Sequence, residues 1–186
     1  MTLLIDVGTV LRATVCDLYS NLVTRPTGAA VRTAIEQQVL EIGAPVVTTI
    51  DFSQVGLLDF SCADEIVAKL LLRYSRVDGP INGYLLFRGI RESHLDPIET
   101  VLDRHGLALV AWLDSGATLL GSVTSDEREC WQVVYECGPV WTESVAGTLK
   151  LPVSTATERL HHLARRRLLM QREDGFAVPG LIGQGT

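Results

Sequence analysis

Residues 46–72, VVTTIDFSQVGLLDFSCADEIVAKLLL, constrain the fold more than any other stretch of this chain. Val46 to Phe52 is rich in β-branched and apolar residues, as in a buried strand. Asp59 to Leu72 is polar at its start and apolar-periodic after it, which predicts a helix. A strand therefore feeds a helix through a short polar turn.

The segments on either side extend that unit. Thr2 to Val7 reads as a strand, Gly8-Thr9 as a tight turn, and Val10 to Val15 as a second strand pairing back on the first. Thr24 is placed to cap a helix with Pro26 in its first turn, and Ala30, Val31, Ala34, Ile35, Val39 and Ile42 recur at helical spacing until Gly43 ends it. Tyr74 to Asn82 is a polar loop holding Asp78-Gly79-Pro80, and Gly83 to Phe87 is a further interior strand. Ser93 is the expected cap of a helix running to Arg104 or His105, with Leu95, Ile98, Val101 and Leu102 inward and Gly106 as its stop. Leu107–Leu113 and Ala117–Val123 form a hairpin across Asp114-Ser115-Gly116, a candidate for joining two modules or two protomers. Strands alternating with helices predict the α/β class, a mixed sheet with helices packed against it.

A different pattern begins at Thr124-Ser125-Asp126. Cys130, Trp131, Val134 and Cys137 make the buried stripe of one helix, closed by Gly138-Pro139. Thr142 caps a second helix holding Val145, Ala146 and Leu149. A third runs from Val153 to Arg166 with Ala156, Leu160, Leu163 and Ala164 inward, and Leu168–Gln171 and Phe176–Val178 flank Glu173-Asp174-Gly175 as a ribbon. The expected organisation is an α/β domain over 1–123, a small α+β domain over 124–180 and a disordered tail over 181–186.

Both parts resemble known families. Asp51 at a strand end, then a loop and Asp59-Phe60-Ser61-Cys62, is similar to the heart of a STAS-like domain, the fold of the anti-sigma-factor antagonists, where a strand ending in Asp leads to an Asp-Ser-Ser-Gly helix start. The order two strands, helix, strand, helix, strand, helix over most of 1–113 resembles that pattern too. The resemblance implies a sensing or docking surface at Asp51 and Asp59, and a serine, Ser61 here, presented to a kinase. Phe60 replaces a Ser and Cys62 a Gly of the pattern, and Ser61 with Asp64 three residues on also suits an ordinary helix cap. The string WTESVAGTLKLPVSTATERLHHLARRRLLMQREDGFAVP resembles the second helix, turn, recognition helix and wing of a winged helix-turn-helix over most of 124–179. Lys150 stands where that family's turn has Gly, Pro152 where it has a Ser/Thr cap, and Arg167 where a Gly ends the recognition helix. Thr155-Ala156-Thr157-Glu158 offers an alternative capping box three residues later.

The winged-helix resemblance implies double-stranded DNA as partner. At about 100° per residue, turning Ala156, Leu160 and Leu163 inward points Ser154, Thr155, Glu158, His161, His162, Arg165 and Arg166 outward. In the family that face enters the major groove, where hydroxyls and imidazoles bond base edges and arginines reach guanines or phosphates. Arg172, beside the wing turn, suits a backbone or minor-groove contact. Charge supports localised binding, since residues 150–172 hold Lys150 and five arginines against Glu158 alone, in a chain of net charge −6. Glu158 would repel phosphate unless it accepts a bond from a cytosine amino group. Arginines at 165–167 also complement a helix dipole, so the alternative is a protein-interaction switch, with a regulatory protein or kinase on the STAS-like domain and the winged helix used for protein contacts or dimerisation. A short single-helix site makes a homodimer the expectation for the DNA reading.

Other classes fare poorly. No apolar run approaches the ~20 residues of a membrane helix, and Asp6 interrupts what would be a signal peptide's apolar core, so the expected location is cytoplasmic. The four cysteines, Cys16, Cys62, Cys130 and Cys137, show no zinc-ligand spacing and are expected to be buried thiols. There is no glycine-rich phosphate loop, Gly-x-Ser-x-Gly elbow or His-Glu-x-x-His, and adjacent His161 and His162 diverge on a helix, so neither catalysis, a metal nor a cofactor is expected. Asp51, Asp59 and Asp64 are expected near one strand end, where α/β folds place ligands.

Overall fold

A computed structural model describes residues 2–43, 47–74 and 83–181. Most of the loop expected over 74–82, and all but Leu181 of the tail expected over 181–186, lie outside them. The chain divides into two compact units, Met1–Ser122 and Val123–Thr186.

In the first unit β1 (Thr2–Asp6), β2 (Val47–Asp51), β3 (Tyr84–Arg88) and β4 (Ala108–Leu113) are parallel neighbours in sequence order, and β5 (Gly116–Gly121) returns antiparallel to β4. Right-handed crossovers between strands in that order put every helix on one face. Ile5, Ile50, Phe87 and Leu109 accordingly share one buried cluster with Val10 and Leu11 of α1 (Val7–Thr14), Val31 and Ile35 of α2 (Arg25–Glu41) and Ile98 and Leu102 of α5 (Glu92–His105). The hairpin expected over 107–123 is the sheet's own edge.

Residues 10–14 are helical, which corrects the expected hairpin with 2–7. At the end of β1 the Asp6 carboxylate accepts the N–H groups of Gly8 (2.8 Å) and Thr9 (3.2 Å), and this cap starts α1. Val7, Val10 and Leu11, at i, i+3 and i+4, then face the core. The unit thus opens strand, helix, helix. Ser93 is likewise not the cap of α5. That helix starts two residues earlier, after Arg91, because buried His94 turns back to accept the Arg91 N–H at Nδ1 and lies 3.0 Å from the Gly56 carbonyl through Nε2.

The predicted helix over 59–72 is three pieces in line, α3 (Phe60–Ala63), a π turn (Asp64–Ala68) and α4 (Lys69–Tyr74). The π turn brings the carboxylates of Asp64 and Glu65 to α2, where Arg25 Nη1 donates to both at 2.8 Å. Glu65, 2% exposed, also accepts from Arg32 (3.3 Å) and Lys69. Asp64 meets His105 of α5 at 2.9 Å, and Glu36 of α2 takes Arg32 and Arg73. Burial alone would raise the Glu65 carboxyl, but the bonds from Lys69 and Arg25 outweigh it and hold it below the usual range.

The second unit is α6 (Ser125–Cys137), α7 (Thr142–Leu149), α8 (Val153–Arg165) and the ribbon β6 (Met170–Arg172) and β7 (Gly175–Ala177). Trp131, Val134, Val145, Leu160, Leu163 and Leu169 fill its core, and the Trp131 indole N–H donates to the Leu168 carbonyl at 3.0 Å. Val140 exchanges backbone bonds of 3.0 and 2.8 Å with Phe176, which ties the ribbon to the α6–α7 connection. The cysteines do not behave alike. Cys62 and Cys130 are buried, and burial pushes the Cys62 thiol up to about 12, whereas Cys16 and Cys137 are exposed. Cys137 leaves the expected stripe because Val133, with Cys130 and Val134, completes the inner face of α6.

Removing Glu65 leaves three cations around an empty site, so Glu65→Ala is expected to cost about 3 kcal/mol, read by urea denaturation. A carboxylate whose pKa is lowered by folding stabilises above its ordinary range and loses that contribution as pH falls through the folded value. The parent chain should therefore weaken on acidification below the ordinary glutamate range, and Glu65→Gln should show a shallower acid limb.

Candidate functional site

Helix α8 carries most of the expected DNA-facing residues. It begins at Val153 behind Pro152, so the alternative start at Thr155 is not used. Leu160 and Leu163 anchor its inner face, and Ser154, Glu158 and Arg165 lie along the opposite side, all three exposed. Thr155 is half-buried beside them.

The other expected members are drawn to the flanks. His162 Nε2 lies 3.2 Å from Glu127 Oε1, and Arg166 Nη1 3.6 Å from the other oxygen of the same carboxylate. Glu127 is itself the returning half of the Thr124 capping box at the start of α6. Arg159 pairs with Asp126 one residue earlier. Residues 159, 162 and 166 follow one another at helical spacing, so one side of α8 is braced on the acidic first turn of α6. On the other side His161 sits edge-on to Phe176 of the ribbon, with ring centres 5.4 Å apart. Arg172 closes on Asp174 across the ribbon turn at 2.8 and 3.2 Å. Arg166 thus braces α8 on α6 from a position about 90° from the centre of the outer face.

The turn before α8 and the end after it explain two unusual residues. Lys150 (φ 54°) and Arg167 (φ 61°) are the non-glycine residues of left-handed backbone among those described. Lys150 closes α7 and Arg167 follows the end of α8, the positions where the family resemblance places glycine.

In the first unit Asp51, Asp59 and Asp64 do not form one cluster. Asp51, at the end of β2, accepts the Ser53 N–H (2.8 Å) and hydroxyl on one oxygen and the Arg88 guanidinium on the other. Burial would raise its carboxyl, but those bonds hold it below the usual range. Asp59 is the cap of α3, accepting the Cys62 N–H at 2.7 Å, and the Ser61 hydroxyl donates to it at 2.9 Å. Burial opposes its ionised form, and the Cys62 and Ser61 bonds more than compensate. The helix cap is therefore Asp59 rather than Ser61, since a side chain two residues earlier reaches the free N–H groups and Ser61 already lies within the first turn. Among the described residues no group of three His, Cys, Asp or Glu side chains could hold a metal ion.

The carboxyl edge of the sheet assembles a second set of residues that sequence reading missed. Arg12 of α1 donates to Gln54 Oε1 (3.1 Å) and Thr9 Oγ1 (3.2 Å), and Arg91 donates to the Ser53 carbonyl (2.8 Å). Gly8 lets α1 close on this turn, since a Cβ there would lie 2.6 Å from that of Gln54. Gly89, at φ +68°, leaves no room for a side chain beside Ser53. The signal was the position of Arg88-Gly89 immediately after an apolar strand, the place where parallel sheets put ligands. Reading Gly8-Thr9 as a hairpin turn concealed the contribution of α1. Leu18, Tyr19, Val23 and Leu57 are exposed on two loops joined by backbone bonds Leu22 N–H to Leu57 O and Asp59 N–H to Leu22 O, each 2.8 Å, and Phe60 is exposed at the start of α3.

No protein-family model, curated protein or solved structure matched the chain.

Two substitutions test these local assignments. Asp59→Ala should cost about 1 kcal/mol in thermal unfolding, and Ser61→Ala clearly less; equal losses would return the cap to Ser61. Lys150→Gly should raise stability by about 0.5–1 kcal/mol, because relief of the left-handed backbone exceeds the added entropy of the unfolded glycine.

Proposed function

We propose that this chain is a DNA-binding regulatory protein of the cytoplasm. Its second unit is a winged helix-turn-helix that lays α8 in the major groove of double-stranded DNA. Its first unit is a STAS-like sensing or docking domain. The observation that carries the reading is the exposed stripe Ser154, Glu158 and Arg165 on a helix whose inner face is fixed by Leu160 and Leu163 and whose flank is braced on Glu127. A reading helix needs a rigid mount and an uncommitted polar face, and α8 has both. The ribbon beside it, held by Val140, has the place of a wing, with Arg172 fixed by Asp174 at its turn. Two copies binding two half-sites would supply useful specificity.

A second reading has its own observation. The exposed apolar residues Leu18, Tyr19, Val23, Leu57 and Phe60 adjoin Asp59 and Ser61, as a surface for a regulatory protein or kinase would. In that reading the chain is a protein-interaction switch, and the second unit serves protein contacts or dimerisation. The bond from the Ser61 hydroxyl to Asp59 weighs against phosphorylation there, because a phosphate would sit against that carboxylate.

Fluorescence anisotropy of the full chain with duplex DNA, titrated at several salt concentrations, separates the two readings. Binding should weaken steeply with salt, and Arg165→Ala should lower affinity about tenfold and reduce the salt slope by about one. Absence of binding at low salt, or an unaltered Arg165→Ala titration, would overturn the DNA reading.

A further inference from the structure

The carboxyl edge of the sheet holds cations that neither the core nor the DNA reading uses. β1, β2 and β3 are adjacent and parallel, so the segments that follow them converge at one end. From the β1 side comes Arg12, and from the β3 side come Arg88 and Arg91. All three reach the turn after β2, residues 51–54.

Their partners differ in kind. Arg88 is neutralised by Asp51, with Nε (2.8 Å) and Nη2 (2.7 Å) both on Oδ2. Arg12 bonds neutral oxygens of Thr9 and Gln54, and Arg91 bonds the neutral Ser53 carbonyl. The carboxylates nearby are committed elsewhere. Asp51 is filled by Ser53 and Arg88, whereas Asp6 keeps its charge while its oxygens accept the first N–H groups of α1 and the Thr9 hydroxyl, and it reaches Arg12 only through Thr9. Glu92, next to Arg91, is exposed and bonds neither guanidinium among the described residues.

Two guanidiniums are therefore held in place on either side of one turn by neutral groups, which position them without consuming their charge. A guanidinium has five donors, and the bonds shown use two N–H groups at most on Arg12 and one on Arg91. The remaining donors match a tetrahedral oxyanion, which takes forked bonds from arginine. Gly8 on one side and Gly89 on the other let the segments that carry these arginines close directly on residues 51–54.

We propose that this edge binds a phosphoryl group, clamped by Arg12 and Arg91 over the Ser53–Gln54 turn. The site is independent of α8 and of whether the chain binds DNA. It gives the first unit a ligand class, a free phosphate or the phosphate of a small ester.

The test is phosphorus NMR line broadening and isothermal titration of the full chain with inorganic phosphate, pyrophosphate and adenosine monophosphate, at ionic strength fixed with sodium chloride and with acetate as control. At least one phosphate probe should bind in the millimolar range or tighter. Arg12→Gln with Arg91→Gln should weaken it about tenfold or more, while Arg165→Gln leaves it unchanged. The probe that binds best separates free phosphate from a phosphate ester. Circular dichroism verifies the double variant; should it fail to fold, the two single variants must each weaken binding. No binding by any phosphate probe, equal binding of acetate, equal binding by the variants, or loss on Arg165→Gln instead, would overturn the proposal.

Discussion

The buried carboxylate of Glu65 is the interaction on which the first unit depends. A charge removed from water must be matched, and Glu65 is matched three times, by Arg25, Arg32 and Lys69. Two of those partners lie on α2, so the network fixes how α2 lies along the helix that follows β2. The π turn makes this possible. Consecutive residues of a regular α-helix point about 100° apart, yet Asp64 and Glu65 both reach Arg25. The wider turn accompanies the double contact, and His105 extends the same network to α5.

How legible this was from sequence varies with the range of the interaction. β2 and the helix after it were read from composition and period alone, and so were the three helices and ribbon of the second unit. Those signals are local. Val7 to Val15 failed because a short run with apolar residues at 7, 10, 11 and 15 satisfies a strand and a helix alike, and the deciding contact is the Asp6 cap. Asp59 and Ser61 are both good cap residues two positions apart, and only the geometry of the chain end selects one. The ion pairs joining α2 to the π turn, and Arg12 and Arg91 to the turn after β2, link residues about forty positions apart. Nothing in single-sequence periodicity encodes such partners.

The same distinction changes how the basic segment is understood. Counted along the chain, residues 150–172 are strongly positive. In space Arg159, Arg166 and Arg172 meet Asp126, Glu127 and Asp174, all outside that window. Much of the apparent field is thus spent locally on holding α8 and the ribbon in place. What faces outward is narrower, a stripe with one arginine and one glutamate, which suits recognition of particular groups better than general attraction to a polyanion.

The two left-handed residues sharpen that view. A helix end or a tight turn that serves only to reverse the chain is least strained with glycine, because any side chain in this conformation adds about 1–2 kcal/mol. Lys150 and Arg167 adopt it nonetheless, one before α8 and one after it. The two side chains differ, since Lys150 is exposed whereas Arg167 is half-buried and its Nε is out of reach of solvent. A strained residue persists where the surrounding structure over-determines it. In both turns the backbone supplies an offset, since the next residue's N–H closes back on the helix, Leu151 to the Ala146 carbonyl at 2.9 Å and Leu168 to the Leu163 carbonyl at 3.0 Å, which satisfies the orphan carbonyls of each helix end.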